Sequence, residues 1–139
     1  MISTALDAIP TPPCSQLLGW RVLDARPEDS WIRIGFEGKP EFRNPAGFIH
    51  GGILSAMLDD TMGPAVFVKT NGRLYTSTIS MNISFLAPAK VGPIIGGAIQ
   101  SDAITLRLFV IGVAGSDLRR ASCFCRTWPN RPSSRRFYD

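Results

Sequence analysis

Apolar residues recur along this chain at two periods, one suited to strands and one to a helix. Residues 20–25 and 30–36 carry Trp20 and Val22, then Trp31, Ile32, Ile34 and Phe36, as two strand-like runs with Pro27-Glu28-Asp29 as the turn between them. Just ahead of them, Ser15-Gln16-Leu17-Leu18-Gly19 reads as one helical turn closed by glycine. Residues 38–47 are a loop rich in Gly, Pro and Asn. From 51 to 69 the period becomes helical, with Gly63-Pro64 expected to kink or interrupt the helix. Asn71-Gly72 marks a turn. Residues 74–86 then alternate, with Ile79, Met81, Ile83 and Phe85 on one face and Thr78, Ser80, Asn82 and Ser84 on the other. Pro88 and Gly92 end that run, and 93–103, 105–113 and 121–128 read as further strands. The order predicts an α+β domain in which an antiparallel sheet wraps a central helix.

The helix repays a closer reading. At about 100° per residue, Ile53, Leu54, Met57, Leu58, Thr61 and Met62 fall in one broad arc that should pack on the sheet. Gly51, Ser55 and Asp59 follow at i, i+4 and i+8 and share a neighbouring stripe, whereas Asp60 lands about 180° from Gly51. Asp59 is therefore the carboxylate aligned with the Gly51-Gly52 end.

A chain of 139 residues fits one domain, read as 1–128 followed by a basic tail at 129–139. The net charge of +4 is unevenly placed: Arg119, Arg120, Arg126, Arg131, Arg135 and Arg136 crowd the C-terminal end. That end reads as solvated rather than as a nucleic-acid surface, since no stacking aromatics are spaced along a basic groove. No apolar run approaches the roughly 18–20 residues needed to span a bilayer, and the N-terminus has no basic leader. Cys14, Cys123 and Cys125 are an odd set without metal-ligand spacing, so free thiols in a reducing cytoplasm are expected. With His50 the sole histidine, neither a metal nor another cofactor is expected.

The chemistry concentrates between Asn44 and Asp60. A helix that begins with Gly51-Gly52 offers backbone N–H groups and a positive dipole end to an oxygen. Asp59, on the same element, is a candidate base, and a second carboxylate beside it would raise the pKa of one of the two. Each candidate has a plainer alternative. His50 also suits a helix cap, Asn44 a turn before Pro45, Thr78 cross-strand packing, and the Asp pair a solvated face, with Asp60 available to pair with an arginine.

On these residues the chain resembles the hotdog-fold acyl-CoA thioesterases of the PaaI-like branch. The likeness is carried by Asn44-Pro45, Gly47 and His50-Gly51-Gly52, by Asp59 downstream, and by Met81-Asn-Ile-Ser-Phe-Leu-Ala-Pro-Ala-Lys90. It implies a curved antiparallel sheet around one long helix, and homodimers or tetramers with composite active sites. It also implies roles: Asp59 activating water, the Gly51 N–H polarising the thioester carbonyl, Asn44 orienting water or carbonyl, His50 fixing the loop and the asparagine, and Thr78 reaching the site across the dimer interface. Gly52 and Ser55 would line the substrate path, with Arg73 and Lys90 meeting CoA phosphates. Residues 96–126 depart from the family's regular alternation, as strong divergence or a shifted reading frame would leave them, and an altered terminal sheet edge would follow. Two other readings use the same residues: a non-catalytic acyl-CoA binding protein, which would not require Asp59, and an acyl-thioester dehydratase or hydratase, which the motif fits less well.

Overall fold

In the computed structural model, which describes residues 4–100, 105–111 and 121–130, a short 3-10 turn at Ala5–Ala8 and the helix α1 (Pro13–Leu17) precede the sheet. The strands are β1 (Arg21–Arg26), β2 (Trp31–Gly38), β3 (Tyr75–Ile83), β4 (Gly92–Gln100), β5 (Thr105–Ile111) and β6 (Ala121–Asn130), with the long helix α2 (Gly51–Lys69) between β2 and β3. The sheet order is β1-β2-β4-β5-β6-β3, antiparallel throughout. The helix α2 touches both edge strands, β1 and β3, as well as β2, β4 and β5, which is the wrapped-helix arrangement that the resemblance implies.

Local chemistry explains the boundaries. α1 ends in a Schellman motif: the N–H of Gly19 meets the Gln16 carbonyl at 3.1 Å and that of Trp20 meets Ser15 at 2.9 Å. Gly19 adopts φ +68°, where a side chain would be strained. α2 occupies the predicted span, and Gly63-Pro64 does not interrupt it: the helix continues to Lys69. Its apolar arc is buried at Met57, Leu58, Met62, Ala65 and Val66 against Ile32, Ile34 and Phe36 of β2 and Ile94 and Ala98 of β4.

The long strand departs from the simple alternation. Its pairing with β6 shifts register between Thr78 and Ser80, a β-bulge that reverses which side chains face the helix. Before the bulge Thr76 is partly buried; after it Met81 and Ile83 are, while Ile79 is 60% exposed. Ile79 therefore does not share a packed face with Met81 and Ile83, because the inserted residue changes the parity.

The C-terminal strands occupy the interior of the sheet. β6 lies between β5 and β3, so the sheet's edges are β1 and β3, and the anticipated altered edge is not formed by the last strands. β6 extends to Asn130, two residues into the segment read as tail, and 131–139 lie outside the described residues. No helix among the described residues is long and apolar enough to cross a membrane.

Candidate active site

The loop before α2 is folded largely by its own polar groups. The Asn44 Oδ1 accepts from the N–H of Ala46 (3.0 Å) and of Phe48 (3.1 Å), so its side-chain carbonyl builds the turn that the plainer reading anticipated. His50 is the N-cap: its Nδ1 accepts the Gly52 N–H at 3.0 Å, and its backbone carbonyl receives Ile53 and Leu54. The imidazole thus holds the start of the helix, and the expected contact to Asn44 is not made. An accepting Nδ1 carries no proton, which leaves the N–H on Nε2.

The cap also separates the two glycines. The Gly52 amide is taken by His50, whereas the Gly51 amide has no hydrogen-bond partner among the described residues. A Cβ added to Gly51 would stand 3.3 Å from the Phe85 ring, so the end of the long-strand segment lies directly on the helix start. Ser55 donates to the Gly51 carbonyl at 2.8 Å, which ties its hydroxyl proton into the helix. Lys90 belongs to this end as well, because the carbonyl of its neighbour Ala89 accepts the Ile49 N–H at 2.8 Å. Arg73 does not: its guanidinium Nε donates to the Thr70 carbonyl past the far end of α2.

A second cluster lies two turns along the helix. The exposed Asp59 carboxylate accepts a hydrogen bond from the Thr78 hydroxyl of the same chain. The bulge makes this contact possible, since it leaves Thr78 directed at the helix. Asp59 and Thr78 border a cavity of about 620 Å³, whose wall here also includes Ala56, Asp60, Gly63 and Thr76. The carboxyl held above its ordinary range is Asp60. Burial raises it most, a Ser15 hydroxyl works in the opposite direction, and the Asp59 charge raises it further. Its Oδ2 is buried without a partner, and no arginine pairs with it among the described residues.

The candidates therefore fall into two groups. Asn44, His50, Gly51, Gly52, Ser55 and Lys90 surround the helix start, while Asp59 and Thr78 sit at the cavity. Eight helical residues separate Gly51 from Asp59, about 12 Å along the axis, so one thioester carbonyl cannot touch both within one chain. The sequence pattern placed Phe85 only on the apolar face of the long strand and gave it no part in the site. It also passed over Ser15 and Trp20, whose approach to Asp60 across the fold has no local signal. Among the described residues no group of three or more His, Cys, Asp or Glu could hold a metal ion.

Comparison with known proteins is consistent with this geometry. The family model described as thioesterase superfamily matches residues 46–99. Among solved structures, a phenylacetic acid degradation-related protein of Ralstonia eutropha JMP134 is 25% identical, covering 88% of this chain and 94% of its own with a TM-score of 0.76. A thioesterase family protein from Silicibacter pomeroyi is 19% identical, covering 92% and 96% with a TM-score of 0.75. A thioesterase from Haemophilus influenzae is 15% identical, covering 94% and 92% with a TM-score of 0.76. At their low identities the last two speak for the fold.

Proposed function

We propose that this hotdog-fold protein of the thioesterase superfamily hydrolyses acyl-CoA thioesters to the free acid and CoA. The observation that carries the reading is the Asp59 carboxylate, held by the Thr78 hydroxyl in the lining of a cavity. With one oxygen accepting from Thr78, the other is available to take a proton from water. The activated water adds to the thioester carbonyl, and the oxygen that becomes negative is received by a Gly51 amide at the positive end of a helix. Collapse of the tetrahedral intermediate breaks the carbon–sulfur bond, and the thiolate leaves with the proton taken up by Asp59.

The 12 Å between donor and base supports a composite site built from two copies. With two such helices antiparallel across a two-fold axis, Gly51 of one copy would stand near Asp59 of the other, twice per dimer. The edge strand β3, which bears the exposed Ile79, is available for such pairing. In this arrangement Lys90, near the Gly51 end, meets a CoA phosphate, whereas Arg73 has no such role. A dehydratase-type use of His50 is disfavoured by its engagement as a cap.

Thiol release from a panel of acyl-CoA esters tests the activity. Asp59→Asn should lower kcat about 10²–10⁴-fold, far more than Asp60→Asn. A folded native protein that binds CoA thioesters but releases no thiol would replace hydrolysis with a binding role. Subunit mixing tests the composite site. Gly51→Pro removes the amide at a position where proline suits a helix start, and Asp59→Asn removes the base. If the sites are composite, mixing the two inactive variants restores about a quarter of the native rate, because half the dimers then carry one intact site. If each chain forms its own site, mixing restores nothing.

A further inference from the structure

The cavity at Asp59 does not end at the carboxylate. Its lining also includes Leu6, Ile9 and Pro12 of the N-terminal segment, together with Trp20, Phe67 and Tyr75. We propose that this cavity takes the acyl group of the thioester, that the group it takes is apolar, and that the N-terminal segment sets how long it can be. The inference rests on hydrolysis at Asp59, because that chemistry places the reacting carbon beside a residue of the cavity lining.

Three observations support it. First, the wall is preformed. The Thr4 hydroxyl accepts from the Leu6 N–H at 3.2 Å and the Asp7 carboxylate accepts from the Thr4 N–H at 2.8 Å, a reciprocal capping box. Gln16 ties the linker down by donating to the Thr11 carbonyl at 2.7 Å, and Leu6 is buried against the core. Second, about 620 Å³ lies within the range of small-ligand pockets, and the lining as a whole is more apolar than polar. Third, the cavity lining holds the carboxyl groups of Asp59 and Asp60 and, among the described residues, no cationic side chain. An acyl chain ending in its own carboxylate would meet like charge, whereas an uncharged chain meets none. Burial favours the neutral form of Asp60, which suits an apolar neighbour.

The expected signature is a rise in kcat/KM with chain length, about fourfold for each methylene buried, up to the length at which the cavity is full. Ile9 is the residue to vary, since it is only partly buried and can change size without emptying the core. The experiment compares native protein, Ile9→Trp and Ile9→Ala on straight-chain acyl-CoAs from acetyl to decanoyl, with adipyl-CoA as the carboxylate-bearing control. Ile9→Trp should move the optimum to shorter chains and cut kcat/KM for the longest, relative to acetyl-CoA, by about tenfold or more, which is close to two methylenes' worth. Ile9→Ala should move the optimum the other way, and adipyl-CoA should fall well below hexanoyl-CoA. The same relative profile in all three proteins, or adipyl-CoA matching hexanoyl-CoA, overturns the inference and leaves hydrolysis standing. Absence of thiol release from every ester in the native protein removes hydrolysis itself.

Discussion

The indole N–H of Trp20 donates to the backbone carbonyl of Asp60 at 3.2 Å, the carbonyl that Pro64 leaves without a helical donor. Residue 64 would ordinarily supply its N–H to residue 60, and proline has none. The tryptophan therefore replaces a hydrogen bond that the helix cannot make, which accounts for α2 running through Gly63-Pro64 to Lys69. Trp20→Phe removes the donor while keeping a ring, and should cost about 1–3 kcal/mol because a part-buried carbonyl loses its partner. Pro64→Ala restores the helical N–H. In that background the same Trp20→Phe change should cost about 1 kcal/mol less, the coupling expected of two residues serving one group. Urea unfolding of the four proteins gives the answer, and additive costs would show that the indole contact does not compensate for the proline.

His50 caps α2 through Nδ1, so its helix-capping role needs an acceptor and not an imidazole. Asparagine supplies one in the same place. His50→Asn should hold thermal stability close to native and keep most of the activity, whereas His50→Ala should cost about 0.5–2 kcal/mol. A loss of activity in His50→Asn as large as that in Asp59→Asn would instead give the ring a part in the chemistry.

How much of this the sequence discloses depends on how local each cause is. The bounds of α2 were legible because the Gly51-Gly52 start, the apolar period and the Asn71-Gly72 turn all lie within the segment itself. So was the alignment of Asp59, rather than Asp60, with the Gly51 stripe. The facing of Thr78 was not: a bulge changes the parity of a strand by one residue, and the Thr/Ser-rich stretch of β3 reads equally well either way. The placement of β3 beside β6 and the Trp20–Asp60 contact depend on partners far along the chain. For Asn44 and His50 the residue types allowed both local and catalytic roles, and only the hydrogen bonds displayed the local ones.

Asp60 gives the fold a pH dependence. Burial lifts its folded-state pKa above the ordinary 3.8; the Ser15 hydrogen bond opposes this, and the nearby Asp59 charge adds the smallest push, upward. A raised carboxyl pKa means that the folded chain holds the proton more tightly than the unfolded chain between those two values. Stability tied to this group is therefore complete below 3.8 and is lost as pH rises through the folded-state value. Asp60→Asn cannot ionise, so its stability relative to native should improve on going from acid to neutral pH and then level off. Urea midpoints across that range measure the difference, and parallel curves would remove the assignment.

Gly96 of β4 packs closely against Thr61 of the helix. A Cβ built there would stand 2.6 Å from the Thr61 Oγ1 and 3.3 Å from the Phe36 ring, both fully buried. Thr61 has little freedom to yield, because its hydroxyl donates to the Met57 carbonyl at 2.7 Å inside the core. Gly96→Ala should therefore destabilise by about 1–3 kcal/mol, the usual cost of forcing extra volume into a packed interior. Thr61→Ala clears the oxygen, leaving the Phe36 contact as the remaining strain. The double variant Gly96→Ala, Thr61→Ala should consequently be more stable than the two single costs added together, with the threonine accounting for most of the clash. Unfolding midpoints for the set decide it: simple additivity would mean that the backbone relaxes enough for Thr61 never to be pressed.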